Sequence, residues 1–211
     1  KDAVKKDVST SQYGMGVSFD ESSLKENLLY VGTDDGLIQV SEDAKTWRKI
    51  SDFPDVPEYT YVSDIRASKF DENVVFASFD NRKRDDFSPY LLMSCDKGKS
   101  WESITSDLPD SGTVHTIEQD FVNPNLLFAG TEFGIYFSYN KGNNWIQLKN
   151  GIPTIAVRDM AIQERENDLV LATFGRGFYI MDDYSSLRNL SDSLFAQNGA
   201  IFPVRKTLIY M

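Results

Sequence analysis

The sequence predicts an all-β fold: a β-propeller segment of four consecutive four-stranded blades. Two observations predict it. An apolar strand motif headed by Asn27, Asn73, Asn125 and Asn167 returns four times, at the roughly 40–50-residue period of a propeller blade. A polar turn closing on tryptophan follows three of those copies, at Trp47, Trp101 and Trp145. Composition agrees, because 14 Phe and 10 Tyr suit pleated, half-buried surface.

Each repeat has the same internal plan, with blades expected near 13–50, 60–105, 112–149 and 155–192. A first strand precedes the motif, as in Val62 to Ser68, Val114 to Asp120 and Val157 to Ile162. The motif is the second strand, and its continuous apolar run fits a strand covered on both faces. A glycine-bearing turn follows at Gly36, Gly134 and at Gly175-Arg176-Gly177. Third strands are expected at Leu37 to Val40, Tyr90 to Met93, Ile135 to Phe137 and Phe178 to Met181. A short fourth strand around each Trp closes the first three repeats. The fourth repeat has no Trp, and 193–211 reads as a closing strand or exit segment.

The turn between third and fourth strands has its own chemistry. Ser94, Asp96, Gly98 and Trp101 fit the pattern Ser-x-Asp-x-Gly-x-Thr/Ser-Trp. Ser138, Asn140, Gly142 and Trp145 form a copy with Asn for Asp, while Ser41, Asp43 and Trp47 form a copy one residue short. An Asp or Asn side chain accepts nearby backbone N–H groups and closes such a turn. Glycine permits the positive φ it needs. The Trp is expected to anchor the hairpin between blades. These residues therefore read as structural. One acidic turn offers too few oxygens for a cation, so no metal site is expected.

Composition excludes several classes. The formal net charge is −10, a field that repels a phosphate backbone, so nucleic acid is not an expected partner. Cys95 is the only cysteine, which rules out an intrachain disulfide and a Cys-based metal centre, and it reads as a small apolar filler. His115 is the only histidine and reads as a packed structural residue. No cofactor is implied. No apolar run is long enough to span a bilayer. The sequence opens at Lys1 without a signal peptide, which leads us to expect a processed or excised start.

These residues resemble the Asp-box, or bacterial neuraminidase repeat, propellers. They are more closely similar to the sortilin-type proteins of bacteria that are often labelled glycosyl hydrolases. Three stretches carry the resemblance: 31–37, 128–136 and 172–183. It extends from about Tyr13 to Tyr210, and Ile201-Phe202-Pro203-Val204-Arg205 resembles the exit from a propeller into a following domain. Xyloglucanases with tandem propellers and a photosystem II assembly factor are more distant likenesses. Such families close seven or more blades, so the resemblance implies that this chain is the C-terminal part of one propeller. Its open radial faces would be covered by remaining blades of the parent chain or by another copy. A complete four-blade closure is the other reading. A secreted, periplasmic or cell-surface location is also implied.

In a propeller the first strand of each blade lines the central channel. Asp64, Arg66 and Ser68 share one face of the second blade's first strand; Thr116 and Glu118 occupy that face in the third, and Asp159 matches Asp64 in the fourth. Asp64 and Asp159 are the candidate catalytic pair, since glycoside hydrolysis needs one carboxylic acid and one base or nucleophile. Channel strands are also polar simply because water fills them, and Asp64 could pair with Arg66 or Arg158. Arg66 and Glu118 are candidate ligand contacts. So are Arg82, Arg84 and Tyr90 of the long hairpin 80–90, and Arg176 between its two glycines. The plainer reading of the hairpin is a solvated, salt-bridged loop. Three functions compete: a binding or assembly module that recognises peptide or glycan at the channel face, as the sortilin likeness implies; a glycoside hydrolase; and a structural scaffold.

Overall fold

The computed structural model describes residues 14–202. The expected start at Tyr13, the exit residues Pro203, Val204 and Arg205, and the remaining positions to 211 lie outside the described residues.

Four antiparallel meanders follow one another along the chain. Blade 1 holds β1 (Gly16–Glu21), β2 (Leu29–Thr33), β3 (Ile38–Ser41) and β4 (Arg48–Ile50). Blade 2 holds β5 (Tyr61–Ala67), β6 (Val75–Asp80), β7 (Tyr90–Ser94) and β8 (Glu102–Ser103). Blade 3 holds β9 (Val114–Gln119), β10 (Leu127–Thr131), β11 (Gly134–Ser138) and β12 (Ile146–Leu148). Blade 4 has three strands among the described residues: β13 (Val157–Gln163), β14 (Asp168–Thr173) and β15 (Gly177–Met181). The short outer strands begin one residue after each Trp rather than around it.

Where a fourth strand would close blade 4, a 3-10 helix spans Tyr184–Asn189 and folds back on blade 3. The Tyr184 ring is fully buried, edge-on to Phe128 at 5.1 Å, and its hydroxyl donates to Asp120 at 2.6 Å. Arg188 donates to both oxygens of Asp120, at 2.8 and 2.9 Å. Beyond it α1 (Asp192–Phe195) is a single turn, and no strand follows through residue 202.

Blades adhere through apolar seams. Leu28, Tyr30, Ile38 and Val40 of blade 1 meet Val62, Ile65, Val75, Ala77 and Leu92 of blade 2. Phe128, Ile135 and Phe137 of blade 3 meet Val157, Met160 and Leu171 of blade 4. Each large buried side chain contributes about 1.5–3 kcal/mol of transfer free energy. The motif glycine is required here, because the next blade lies directly on it. A Cβ on Gly130 would sit 2.6 Å from Thr116 Cγ2 and 3.0 Å from the Val157 carbonyl oxygen; one on Gly32 would meet Val62 at 2.4 Å.

The polar turns are closed as their residues require. Asp96 Oδ1 accepts the N–H groups of Lys99 and Ser100 at 2.9 and 2.8 Å, and Oδ2 accepts the Ser100 hydroxyl at 2.6 Å. These bonds outweigh the cost of burial and hold its carboxyl down at about 2. Asp43 repeats the arrangement with Lys45 and Thr46, and Asn140 accepts from Asn144 N–H at 3.0 Å. Gly98 and Gly142 have φ of 75° and 86°.

The Trp residues differ in a way the motif does not reveal. Trp101 and Trp145 pack toward the preceding blade. Trp145 is buried against blade 2 and donates its indole N–H to the Ile104 carbonyl at 2.9 Å. Trp101 packs on the seam with blade 1, edge-on to Phe53 at 5.8 Å. Trp47 does not anchor between blades: it is 44% exposed, because no described blade precedes blade 1. Cys95 is likewise exposed rather than a core filler.

Candidate functional site

The first strands β1, β5, β9 and β13 lie side by side, as channel-lining strands must. Every one of them carries a register shift at the same place. The shifts fall between Gly16 and Ser18, between Val62 and Asp64, opposite Gly130 and Thr131 in β9, and between Val157 and Asp159. One extra residue per strand is therefore turned out of the ladder: Val17, Ser63, His115 and Arg158. Beyond the bulge the strands return to a common register. Ser18, Asp64, Thr116 and Asp159 stand opposite Gly32, Ser78, Gly130 and Ala172.

That register brings four of the sequence-selected residues together. Arg66 is the hub, 3.4 Å from Asp64, 3.6 Å from Glu118 and 3.7 Å from Asp159. Burial opposes its charge, but the surrounding carboxylates outweigh that and raise its pKa. Lys69 lies 3.8 Å from Glu118 and 3.0 Å from Glu164. Glu118 is largely withdrawn from water, and burial pushes its carboxyl up to about 7 against the pull of Arg66 and Lys69.

The two proposed catalytic aspartates sit in unlike settings. Asp64 Oδ1 accepts its neighbour's N–H, from Ile65 at 2.9 Å. Its Oδ2 crosses to blade 3 and accepts the Thr116 hydroxyl at 2.8 Å and the Ile117 N–H at 3.1 Å. Burial raises its pKa. Asp159 makes the same local bond, from Met160 N–H at 2.8 Å, but its side chain is 69% exposed. It pairs only loosely with Arg66, and Arg158 reaches neither aspartate among the ion pairs formed.

The bulged residues build a second cluster at one mouth. A cavity of about 330 Å³ is lined by Tyr61, Ser63, Asp80, Arg82, Lys83, His115 and Arg158. Glu132 Oε2 gathers three donors: Arg82 Nη1 at 2.7 Å, His115 Nε2 at 2.9 Å and Arg158 Nη2 at 3.5 Å. Arg158 Nη1 stands 3.4 Å from His115 Nδ1. A guanidinium can only donate, so Nδ1 accepts and the ring proton sits on Nε2, directed at Glu132. Burial lowers the His115 pKa; the bond to Glu132 opposes that, and the two arginines lower it further. Arg82 is also held by Asp80 at 2.8 Å.

The remaining predicted residues do not converge on this cavity. Arg84 donates to the Glu58 carbonyl and lies over the Tyr59 ring at 5.4 Å. Tyr90 donates to Asp86 at 2.7 Å, and burial with that bond pushes its phenol up to about 12. The hairpin thus carries the internal polar contacts of a folded loop, with a 3-10 turn at Arg82–Arg84. Arg176 is exposed in its glycine turn. Sequence reasoning missed Ser63 and Arg158 as mouth residues and took His115 as core packing alone. A bulge has no residue signature of its own, although the equal offsets from Val62, Val114 and Val157 were there to align.

The fold and its inner strands define a piece of a β-propeller. No protein-family model matches the chain, and no curated protein matches it by sequence. Solved structures do. The GH74 xyloglucanase of Xanthomonas campestris is 12% identical with a TM-score of 0.58, over 75% of this chain and 26% of that one. YCF48, solved bound to D1 peptide, is 16% identical with a TM-score of 0.59, over 80% and 51%. The extracellular domain of BT4673 from B. thetaiotaomicron is 13% identical with a TM-score of 0.60, over 85% and 22%. At these identities the likeness establishes the fold alone. The chain spans about half of YCF48 or less of the other two, as a four-blade piece of a larger propeller would.

Proposed function

We propose that this chain belongs to an extracytoplasmic β-propeller module that binds a peptide or glycan at its channel face. Further propeller surface, from a parent chain or from another copy, covers the open blades. One observation carries the reading: the bulged residues Ser63, His115 and Arg158 converge with Arg82 and Lys83 around a single cavity at the mouth. Loops and bulges on a rigid scaffold are where recognition concentrates. The neighbours support it too, since one is bound to a peptide and another is an extracellular domain. Titration against peptide and oligosaccharide libraries, followed by calorimetry, tests it. Arg158→Ala should weaken the strongest hit about tenfold or more. An equal affinity in that variant would move the site elsewhere.

A second reading, glycoside hydrolysis, is favoured by Glu118. Its carboxyl near 7 suits a general acid, and Asp159 stands exposed across Arg66. GH74 enzymes are among the structural neighbours. Asp64 is the weaker half of the original pair, because its oxygens are engaged with Ile65, Thr116 and Ile117. Turnover of xyloglucan or related glycans, lost in Glu118→Gln, would support hydrolysis. No turnover, with ligand binding retained, would leave the binding module.

A further inference from the structure

The mouth cavity has polar groups left open, and together they fit one kind of ligand. Its lining comes from blades 2, 3 and 4, which are joined through closed apolar seams. Arg82 is fully engaged, since Asp80 and Glu132 hold it at 2.8 and 2.7 Å. Lys83 is not: its ammonium lies over the Tyr61 ring at 5.3 Å and meets no carboxylate among the described residues. Arg158 is held loosely, 3.5 Å from Glu132 and 3.4 Å from His115. Its Nε is withdrawn from water and has no acceptor among the described residues. A guanidinium offers five donors, and a buried one without an acceptor is costly. The opening therefore has positive charge to spare, in a chain of net charge −10.

The cavity also has an acceptor and a hydroxyl to offer. The donors that Glu132 gathers all fall on Oε2, and none reaches Oε1 among the described residues. Tyr61, on the cavity wall, has a hydroxyl with no partner among the described residues. A ligand that answers the whole set brings an anionic group for Lys83 and Arg158 and hydroxyls for Glu132 and Tyr61. An acidic amino-acid side chain supplies the first and carries no hydroxyl. A neutral sugar supplies the second and carries no charge. A uronic acid supplies both from one ring. The cavity of about 330 Å³ lies at the small end of ligand sites, the scale of one such unit.

We propose that the mouth cavity binds a uronic acid residue of an acidic glycan. Arg158 and Lys83 hold its carboxylate, while Glu132 and the Tyr61 hydroxyl hold its ring hydroxyls. The inference rests on the reading of the mouth as the ligand site, and it narrows that ligand from peptide or glycan to an acidic glycan. Arg66, deeper in the channel, offers no second site of this kind, because Asp64, Glu118 and Asp159 already surround it.

Calorimetry of the full chain with oligogalacturonate and oligoglucuronate tests it, beside the same oligomers after carboxyl reduction and a glutamate-rich peptide. An acidic oligomer should bind, and carboxyl reduction should weaken it about tenfold or more. Lys83 is exposed on its loop, so Lys83→Ala should keep the melting temperature and lose about tenfold in affinity, with Lys83→Arg restoring most of it. Tyr61→Phe should weaken the acidic oligomer about threefold. Equal or tighter binding of the reduced oligomer or of the peptide, still lost in Arg158→Ala, overturns this inference and leaves the mouth as the ligand site. Uronate binding that neither Lys83→Ala nor Arg158→Ala changes overturns both. Failure of both acidic oligomers to bind overturns the uronic acid alone, and the library titrations then judge the mouth separately.

Discussion

The seam between blades 3 and 4 and the free face of blade 4 are made from the same register positions. Ile135 and Phe137 are buried; Phe178 and Ile180, one repeat later, face water. The aspartates make the same contrast, with Asp64 tied across a seam and Asp159 open. The difference teaches that burial here belongs to the pair of blades and not to the residue. An exposed carboxylate at a broken seam also resembles a catalytic one until its buried counterpart is compared with it.

The largest effect should come from cutting into a closed seam. Phe128→Ala removes a fully buried ring that packs on Tyr184, and should cost about 3–5 kcal/mol by denaturant unfolding. Ile180→Ala, measured on dilute protein, should cost less than about 1 kcal/mol. If the open faces meet in solution, that gap narrows as the protein is concentrated. Equal costs in dilute solution would break the comparison.

Next come the aspartates. Asp64→Ala strands the Ile117 N–H and the Thr116 hydroxyl and should cost about 2–3 kcal/mol. Asp159→Ala on dilute protein should stay within about 0.5 kcal/mol. Matching losses would mean that Asp159 already has a neighbour.

Glu118 gives a smaller, pH-dependent effect. Its folded pKa, about 7, lies above the ordinary 4.5, so the native state holds its proton more tightly than the unfolded chain. The stability this contributes is full below about pH 4.5 and is lost as pH rises through about 7. Glu118→Gln should flatten that slope and stabilise the protein at about pH 8, on the order of 2 kcal/mol. An unchanged slope would place the titration elsewhere. Smallest is the turn: Asp96→Ala should cost about 1 kcal/mol, read as a lowered melting temperature.

Much of this was legible in the sequence. The motif from Asn27 to Thr33 and its copies gave the second strands, and the equivalence of Asp64 with Asp159 survives in the strand register. The gathering of Asp64, Arg66, Glu118 and Asp159 was legible for the same reason, since alternation along a strand and repetition between strands are periodic signals. What escaped was aperiodic. The 3-10 helix at Tyr184–Asn189 depends on an aromatic ring reaching Asp120 in another blade. The exposure of Trp47 depends on what precedes blade 1, which its own turn motif does not reveal.

The recurrent bulge has a consequence for how such a molecule can change. Positions 17, 63, 115 and 158 are spliced out of the ladder, so the backbone pairing within each sheet does not depend on which side chain stands there. Val, Ser, His and Arg already occupy that place in four otherwise similar strands. Selection can therefore rewrite the rim one position at a time, acquiring or discarding an affinity, while the wheel behind it keeps its spacing.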